Sequence, residues 1–439
     1  MKQTVLSILM VFGATHAPAQ EWTVRQCMLY AVEHNHEVKR AELELDNYKA
    51  SKTGAIGRFL PSVSAGVGVQ YNFGRTIDPE TNIYTDVSTF YNSYSLGASL
   101  PVFDGFNRLH ALKAAKASAL MGQSALRQKQ NQTALNVLQA YTNVAYYEGL
   151  VEMAGEKVRE TELLLRQTRL LEEVGRKSMA DVAQVESEKA EADYELTKQQ
   201  NHYASAMLEL KKAMAYPMSE ELRVKSEEIA AIPSETGMPL TDSKLYALHA
   251  ELETTRYQMQ ASKHEWRQAR AELYPTLSLS AGLSTTYFHT LHSEDVQSFR
   301  QQFKNNMGEY VGATLSIPLF NRLQTITNIR KAKNNYQIAR ENYAQKQLEL
   351  EKLAREAWQD WQAYLKQTEQ MVQKVEADSL AYQLTRRQFE EGLATAIELR
   401  TTSAQLLNSK ATLLQCRLMA MVKEQLIRYY RGETIWTES

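Results

Sequence analysis

The stretch Ser62-Val-Ser-Ala-Gly-Val-Gly-Val-Gln-Tyr-Asn-Phe73 decides the fold. In an extended chain, successive side chains point to opposite faces. Val63, Ala65, Val67, Val69, Tyr71 and Phe73 therefore share one face, and Ser62, Ser64, Gly66, Gly68, Gln70 and Asn72 share the other. Three further segments carry the same period. Tyr94, Leu96, Ala98, Leu100 and Val102 oppose Ser95, Gly97 and Ser99. Leu277, Leu279, Ala281 and Leu283 form a third apolar row, and Val311, Ala313, Leu315 and Ile317 a fourth. Each segment is about 9–12 residues long, the length a tilted transmembrane strand needs. A soluble sheet buried on one face alternates as well. What favours the membrane is the placement of aromatics: Phe59, Phe103, Tyr274 and Phe320 at one end of the segments, Tyr71, Phe73, Tyr94 and Tyr287 at the other. Outer-membrane barrels carry girdles of this kind at both interfaces. The Ser and Gly of the opposite face suit a wet lumen better than a dry core.

Four strands cannot close a barrel. Bacterial barrels begin at about eight strands, and an open edge in hydrocarbon leaves unpaired backbone groups that cost several kcal/mol each. The chain must share its barrel with copies of itself. Two copies would supply about eight strands, whose interior fills with side chains; three would supply about twelve, with room for a channel. The expectation is a homotrimer seated in outer-membrane lipid.

Outside the strands, helix takes over. Pro61 and Pro275 stand at the entries to the first strands, Pro101 and Pro318 at the exits from the second, so all four mark helix–strand junctions. Two proline-free stretches, 102–216 and 319–439, are rich in Ala, Leu, Glu, Gln, Lys and Arg, the strong helix formers. Leu112, Ala115, Ala119, Gly122 and Leu126 in the first, and Ile329, Ala332, Tyr336, Ala339 and Tyr343 in the second, follow the step of a coiled-coil seam. An ordinary helical bundle would explain that local pattern, but not the repeat. Pro101-Val102-Phe103 recurs as Pro318-Leu319-Phe320 at an offset of 217, and both seams, together with Gly175 and Gly392, keep that offset. Leu60-Pro61-Ser62 matches Tyr274-Pro275-Thr276 at 214. The expected organisation is a first helix-strand-strand-helix-helix repeat over 21–215, a linker over 216–239 with three prolines, and a second repeat over 240–439. Helices are predicted over about 22–58, 106–172 and 178–214, and over about 240–273, 321–391 and 395–431. The long ones run roughly 100 Å at about 1.5 Å per residue. Each shorter pair, stacked end to end, matches its long partner. Four helical columns per chain would then make a periplasmic α-barrel in the trimer. The fold class is mainly α with a small β part.

Composition removes other classes. Among 439 residues, 50 are basic and 51 acidic, a balance that argues against a nucleic-acid partner. Residues 1–20 show a basic start, an apolar stretch from Val5 to Phe12 and Ala17-Pro18-Ala19, the pattern of a secretory signal peptide. No other apolar run is long enough for a membrane-spanning helix. Two cysteines, Cys27 and Cys416, on different predicted helices, make no disulfide scaffold or Cys-based zinc site; the exported compartment permits their pairing. His34 with His36, and His289 with His292 near Glu294 and Asp295, read as surface histidines on a helix and in an exposed loop. Gly66-Val-Gly68 lacks a third glycine and lies in a strand, so it is no nucleotide loop. No catalytic constellation, cofactor motif or metal site is expected.

Over essentially its whole mature length the chain resembles the TolC-like outer-membrane efflux protein family. The resemblance rests on the twofold repeat, the Leu-Pro or Tyr-Pro entry and Pro-x-Phe exit of the strands, and the hairpin-tip motifs Gly175-Arg-Lys-Ser-Met-Ala-Asp181 and Gly392-Leu-Ala-Thr-Ala-Ile-Glu398. It implies a trimeric channel-tunnel passing cargo from an inner-membrane pump, through a periplasmic adaptor (membrane fusion) protein, to the exterior, in multidrug efflux or type I secretion. A heavy-metal cation efflux component and a periplasmic coiled-coil structural protein are the alternatives. By resemblance, Glu398 holds the first position of an acidic ring narrowing the periplasmic entrance, and the second, three residues on, is Thr401. Ala394 stands where the family has an arginine that bonds the acid matching Asp181, so that lock is expected to be missing. Gly175, Ser178, Gly392 and Thr395 form the tips for adaptor docking. They also have a purely local reason to be there: glycine suits the left-handed end of a helix, and Ser or Thr caps the next one. For Glu398 the local alternative is a solvated first-turn glutamate favoured by the helix dipole.

Overall fold

A computed structural model describes residues 21–77, 82–86, 88–225, 249–291 and 297–436. The expected signal peptide, the linker from 226 and the first residues of the second repeat lie outside the described residues, as do His292, Glu294 and Asp295. In chain order the elements are β1 (Glu21–Trp22), α1 (Val24–His34), α2 (His36–Gly57), β2 (Ser62–Asn72), β3 (Arg75–Ile77), β4 (Tyr84–Asp86), β5 (Thr89–Phe103), α3 (Asn107–Glu173) and α4 (Met179–Met214). They continue with β6 (Arg223–Val224), α5 (Ala250–Ala271), β7 (Thr276–Thr290), α6 (Phe299–Asn305), β8 (Gly308–Ser316), α7 (Gln324–Glu390) and α8 (Ala396–Tyr430). α3 and α7 have 67 residues each, and their bounds differ by the offset seen in the sequence. The chain forms two compact units, each drawn from both halves: one over 44–123 and 253–345, the other over 1–43, 124–252 and 346–439.

The first unit holds the sheet. Its strands run in the order β2-β5-β7-β8 and all pair antiparallel. One row across it reads Val63, Ala98, Ala281, Val311, and the next reads Ser64, Gly97, Gly282, Tyr310. Alternation along each strand thus becomes an apolar face and a hydroxyl-rich face, as the period predicts. β2 and β8 each keep one edge unpaired.

β5 and β7 reach 15 residues, longer than the sequence pattern marks out, so Tyr94 stands inside its strand rather than at an end. His289, expected in a loop, lies in β7 and pairs with Phe90. Pro101 is tolerated inside β5 because the register shifts between it and Phe103, the irregularity at which strand proline is accommodated. The turns into α3 and α7 use the same backbone. Gly105-Phe106 and Arg322-Leu323 all have positive φ, a conformation costing a side-chain-bearing residue roughly 1–2 kcal/mol.

α6, which hydropathy did not reveal, covers the edge of β7 beyond the end of β8. Gln302 is 3% exposed. Its amide accepts the Phe288 N–H at 3.0 Å and donates to the Phe288 carbonyl at 3.0 Å, as a neighbouring strand would. Phe299 and Phe303 of α6 pack edge-on against Tyr94, extending the aromatic belt of Tyr71, Phe90 and Tyr287.

The second unit is helical. Its core gathers Cys27, Met28, Val137, Leu138, Tyr141, Leu210 and Met214, each large aliphatic side chain adding about 1.5–3 kcal/mol by burial. The helix predicted over 22–58 is broken at Asn35, whose backbone is extended. Its side chain donates to the Ala213 carbonyl at 3.0 Å and accepts from the Glu37 N–H at 2.8 Å, so one residue ends α1, starts α2 and fastens both to α4. β1 and β6 pair in parallel, and the Tyr141 hydroxyl lies 3.0 Å from the Trp22 carbonyl and 2.8 Å from that of Lys225. Cys27 and Cys416 are free and buried; burial pushes the Cys27 thiol up to about 12.

Candidate functional site

Within the helical unit, both hairpin tips are built by one local code. α3 ends with Gly175 at φ +76° and α7 with Gly392 at φ +81°. The N–H groups of Gly175 and Arg176 donate to the carbonyls of Glu172 and Leu171, both at 2.8 Å. Those of Gly392 and Leu393 donate to Phe389 and Gln388, at 3.0 and 2.7 Å. This paired pattern closes a helix C-terminus through a left-handed residue. Three residues later a new helix is capped. The Ser178 hydroxyl accepts from the Asp181 N–H at 3.2 Å, and the Asp181 carboxylate accepts from the Ser178 N–H at 3.0 Å. Thr395 and Glu398 repeat the exchange at 3.2 and 2.8 Å. Both are reciprocal capping boxes. These hydrogen bonds hold the Asp181 and Glu398 carboxyls below the usual carboxylate range.

The structure therefore brings Gly175, Ser178 and Asp181 together in one tip, and Gly392, Thr395 and Glu398 in the other. Thr401 lies one turn beyond, its hydroxyl donating to the Ile397 carbonyl at 2.8 Å. Glu398 has the local job foreseen as the alternative to a ring acid: its carboxylate turns back on its own cap. Ala394 is buried with Leu164, Leu165, Val185, Phe389 and Leu399, a place without room for the arginine of the family pattern. A different cation joins the two tips instead, the Lys177 ammonium lying 3.8 Å from the centre of the Phe389 ring.

Sequence reasoning missed the apolar side chains around these turns. Met179 is 79% and Leu393 76% exposed, and Val174 and Ile397 are nearly as open. Their signal was present, since all four bracket the turn glycines, but they were read only as helix ends.

The four junction prolines belong to the sheet unit. Pro61 and Pro275 immediately precede β2 and β7, and Pro318 follows β8. On the hydroxyl-rich face, Ser64, Ser95, Ser280, Ser284 and Thr314 alternate with glycines. Tyr310 lies across Gly282, where a Cβ would come within 2.7 Å of the ring. The residues of that face in the paired strands include no Asp, Glu, Lys, Arg or His. Among the described residues, no group of three or more His, Cys, Asp or Glu is placed to hold a metal ion, and no helix is long and apolar enough to cross a membrane.

A strand pair followed by a capped helical hairpin, occurring twice, is also what comparison with known proteins finds. The profile of the Outer membrane efflux protein family matches residues 30–215 and 243–429. The chain belongs to this family. Outer membrane efflux proteins are channel components, and the outer membrane is where this chain resides. It is 23% identical over 427 residues to the probable efflux pump outer membrane protein TtgC of Pseudomonas putida, covering 93% of this chain and 82% of that one. It is 24% identical over 282 residues to the alkaline protease secretion protein AprF of Pseudomonas aeruginosa, covering 60% and 54%. Among solved structures, CusC superposes with a TM-score of 0.81 at 18% identity over 95% of this chain and 93% of that chain. The outer membrane protein VceC of Vibrio cholerae gives 0.79 at 15% over 94% and 96%. The mainly helical fold with a small strand part is thus the family's fold.

Proposed function

We propose that three copies of this outer membrane efflux protein join their sheets edge to edge, β8 of one beside β2 of the next, and enclose a single water-filled exit channel. The observation that carries this is the sheet itself. Its two outer strands have free edges, one face is apolar, and the other is lined by hydroxyls and glycine without a charge. Closure among copies pairs the edges that hydrocarbon would otherwise leave unsatisfied. The duplicated organisation, 21–215 and 240–439 about the 216–239 linker, supplies each copy with two strand pairs and two helical hairpins. Pro61, Pro101, Pro275 and Pro318 are the points where strand and helix exchange.

In this assembly the hairpin tips form the periplasmic entrance, with Glu398, Thr401 and Asp181 at its narrowest part. The adaptor of an inner-membrane pump docks on the tips through Gly175, Ser178, Gly392 and Thr395 and the exposed Val174, Met179, Leu393 and Ile397. The chain passes cargo without chemistry of its own, the pump supplying the energy. The cargo is small organic molecules, as the name of the Pseudomonas putida relative suggests. A metal-ion duct is not favoured, because the hydroxyl-rich face presents no ligating acid or histidine. Deleting the gene tests this: sensitivity to dyes, antibiotics and solvents should rise, with resistance to metal salts and protease export unchanged. Loss of metal resistance alone, or of secretion alone, would reassign the cargo. At the entrance, Glu398→Gln keeps the capping box and removes the charge. Single-channel recording should show reduced cation preference, and unchanged selectivity would remove Glu398 from the constriction.

A further inference from the structure

In the helical unit a cavity of about 360 Å³ lies between α3, α4 and α8. It is within the size range of small-molecule pockets, which are mostly apolar with a few placed polar groups. Leu150 and Met153 of α3, Ala192 of α4, and Leu407 and Ala411 of α8 give it apolar walls. The charged groups around it are nearly all committed. Arg400 pairs with Glu191 at 3.5 Å, and Lys157 donates to the Ser403 hydroxyl at 2.7 Å and lies 3.7 Å from Glu160. Glu195 accepts from Lys198 and Gln199. Glu188 is the exception. It lines the cavity, is 6% exposed, and its Oε1 has no hydrogen-bond partner. A buried carboxylate oxygen left unpaired costs several kcal/mol of lost hydration. Such a group in an apolar groove is a receptor for a donor that arrives with an apolar body attached.

We propose that the groove between α3, α4 and α8 binds an amphipathic organic monocation, its N–H donated to the Glu188 carboxylate and its apolar part laid against Leu150, Met153 and Leu407. Charge complementarity selects the class. The four charged neighbours facing Glu188 are Lys157 and Glu160 of α3, Glu191 of α4 and Arg400 of α8, which cancel one another, so the ionised Glu188 leaves the site one negative charge. Burial first, and the acids Glu160 and Glu191 after it, raise the Glu188 pKa; binding of a cation favours the ionised form, so affinity rises with pH through that titration. The inference goes beyond the channel reading, since occupancy is measured at equilibrium without transport.

The test uses the full chain in lipid nanodiscs, with empty discs as the blank, and two dyes of one scaffold: rhodamine 6G, a monocation with N–H donors, and rhodamine B, a zwitterion at neutral pH. Fluorescence anisotropy should show saturable rhodamine 6G binding at one site per chain, with rhodamine B at least tenfold weaker. Glu188→Gln should weaken rhodamine 6G at least tenfold. Ala404→Trp, on the exposed rim, should block the groove. Glu191→Gln should change affinity less than threefold. With the parent protein alone, rhodamine 6G affinity should fall as pH is lowered from 8 to 5 while the dye's charge stays constant, which keeps the test valid if Glu188→Gln misfolds. Equal binding of the two dyes, parent-like affinity in a folded Glu188→Gln, pH-independent affinity, or no saturable binding, as for a groove that serves only a partner helix, would each overturn the proposal.

Discussion

Replacing Gly392 by alanine should loosen the second hairpin tip, and the size of the effect follows from the backbone alone. A Cβ placed on Gly392 meets nothing within 4 Å, so no clash enters. What remains is the φ of +81°, which costs an L-residue roughly 1–2 kcal/mol. Alanine recovers about 0.4–1 kcal/mol by stiffening the unfolded chain. The net loss is about 1 kcal/mol, close to fivefold in the local opening constant. Gly155 is the internal control. It too has nothing within 4 Å of a built Cβ, but it sits inside α3 with ordinary helical φ. There alanine should gain about 0.5–1 kcal/mol. Hydrogen exchange by mass spectrometry reads both sites in the assembled protein. Amides over residues 388–395, including the Leu393 N–H bonded to Gln388 at 2.7 Å, should exchange about fivefold faster in Gly392→Ala. Those around residue 155 should slow in Gly155→Ala. If both variants slow exchange, or Gly392→Ala leaves it unchanged, the left-handed turn is not what closes α7.

The same backbone argument runs in reverse at the end of α4, where Ala215 has φ +56° while Gly432 holds the corresponding place after α8. Ala215→Gly should stabilise by about 0.5–1 kcal/mol, seen as a higher denaturation midpoint. The capping carboxyls Asp181 and Glu398 titrate lower in the folded chain than in an unfolded one. Their stabilisation is therefore complete above about pH 4 and is lost as pH falls through the folded values. A spin label at Met179 should keep constant mobility from pH 8 to 5 and gain mobility below about pH 4. Gln302→Ala exposes the Phe288 N–H and carbonyl together and should cost about 1–3 kcal/mol at the end of β7. Protease added to whole cells should then cut within 297–307, where the parent chain resists.

The long elements were legible because each repeats one period many times. α3 and α7 begin and end within a few residues of the pattern's limits, their C-termini fixed by Gly175 and Gly392 and the next helices by Ser178 and Thr395. The four strands were legible for the same reason, since the Val and Ser rows of β2 continue across β5 and β7 in one register. What escaped was whatever a single side chain decides. Asn35 splits a helix whose apolar pattern runs straight through it, because its amide finds Ala213, 178 residues away. β1 and β6 have two residues each and no period to detect; Tyr141 fastens them from another helix. α6 is seven residues long and exists because an unpaired strand edge needs a cover. At the tips, the residue types were visible from sequence, but not that Glu398 would spend its carboxylate on Thr395.

The central claim is that one chain owns a third of a barrel. Native mass spectrometry of the protein released from outer membranes in mild detergent tests it most directly. The account predicts a single series at three copies, persisting until the sheet edges are denatured apart. A stable particle of one copy with its sheet intact, or of two, would contradict it.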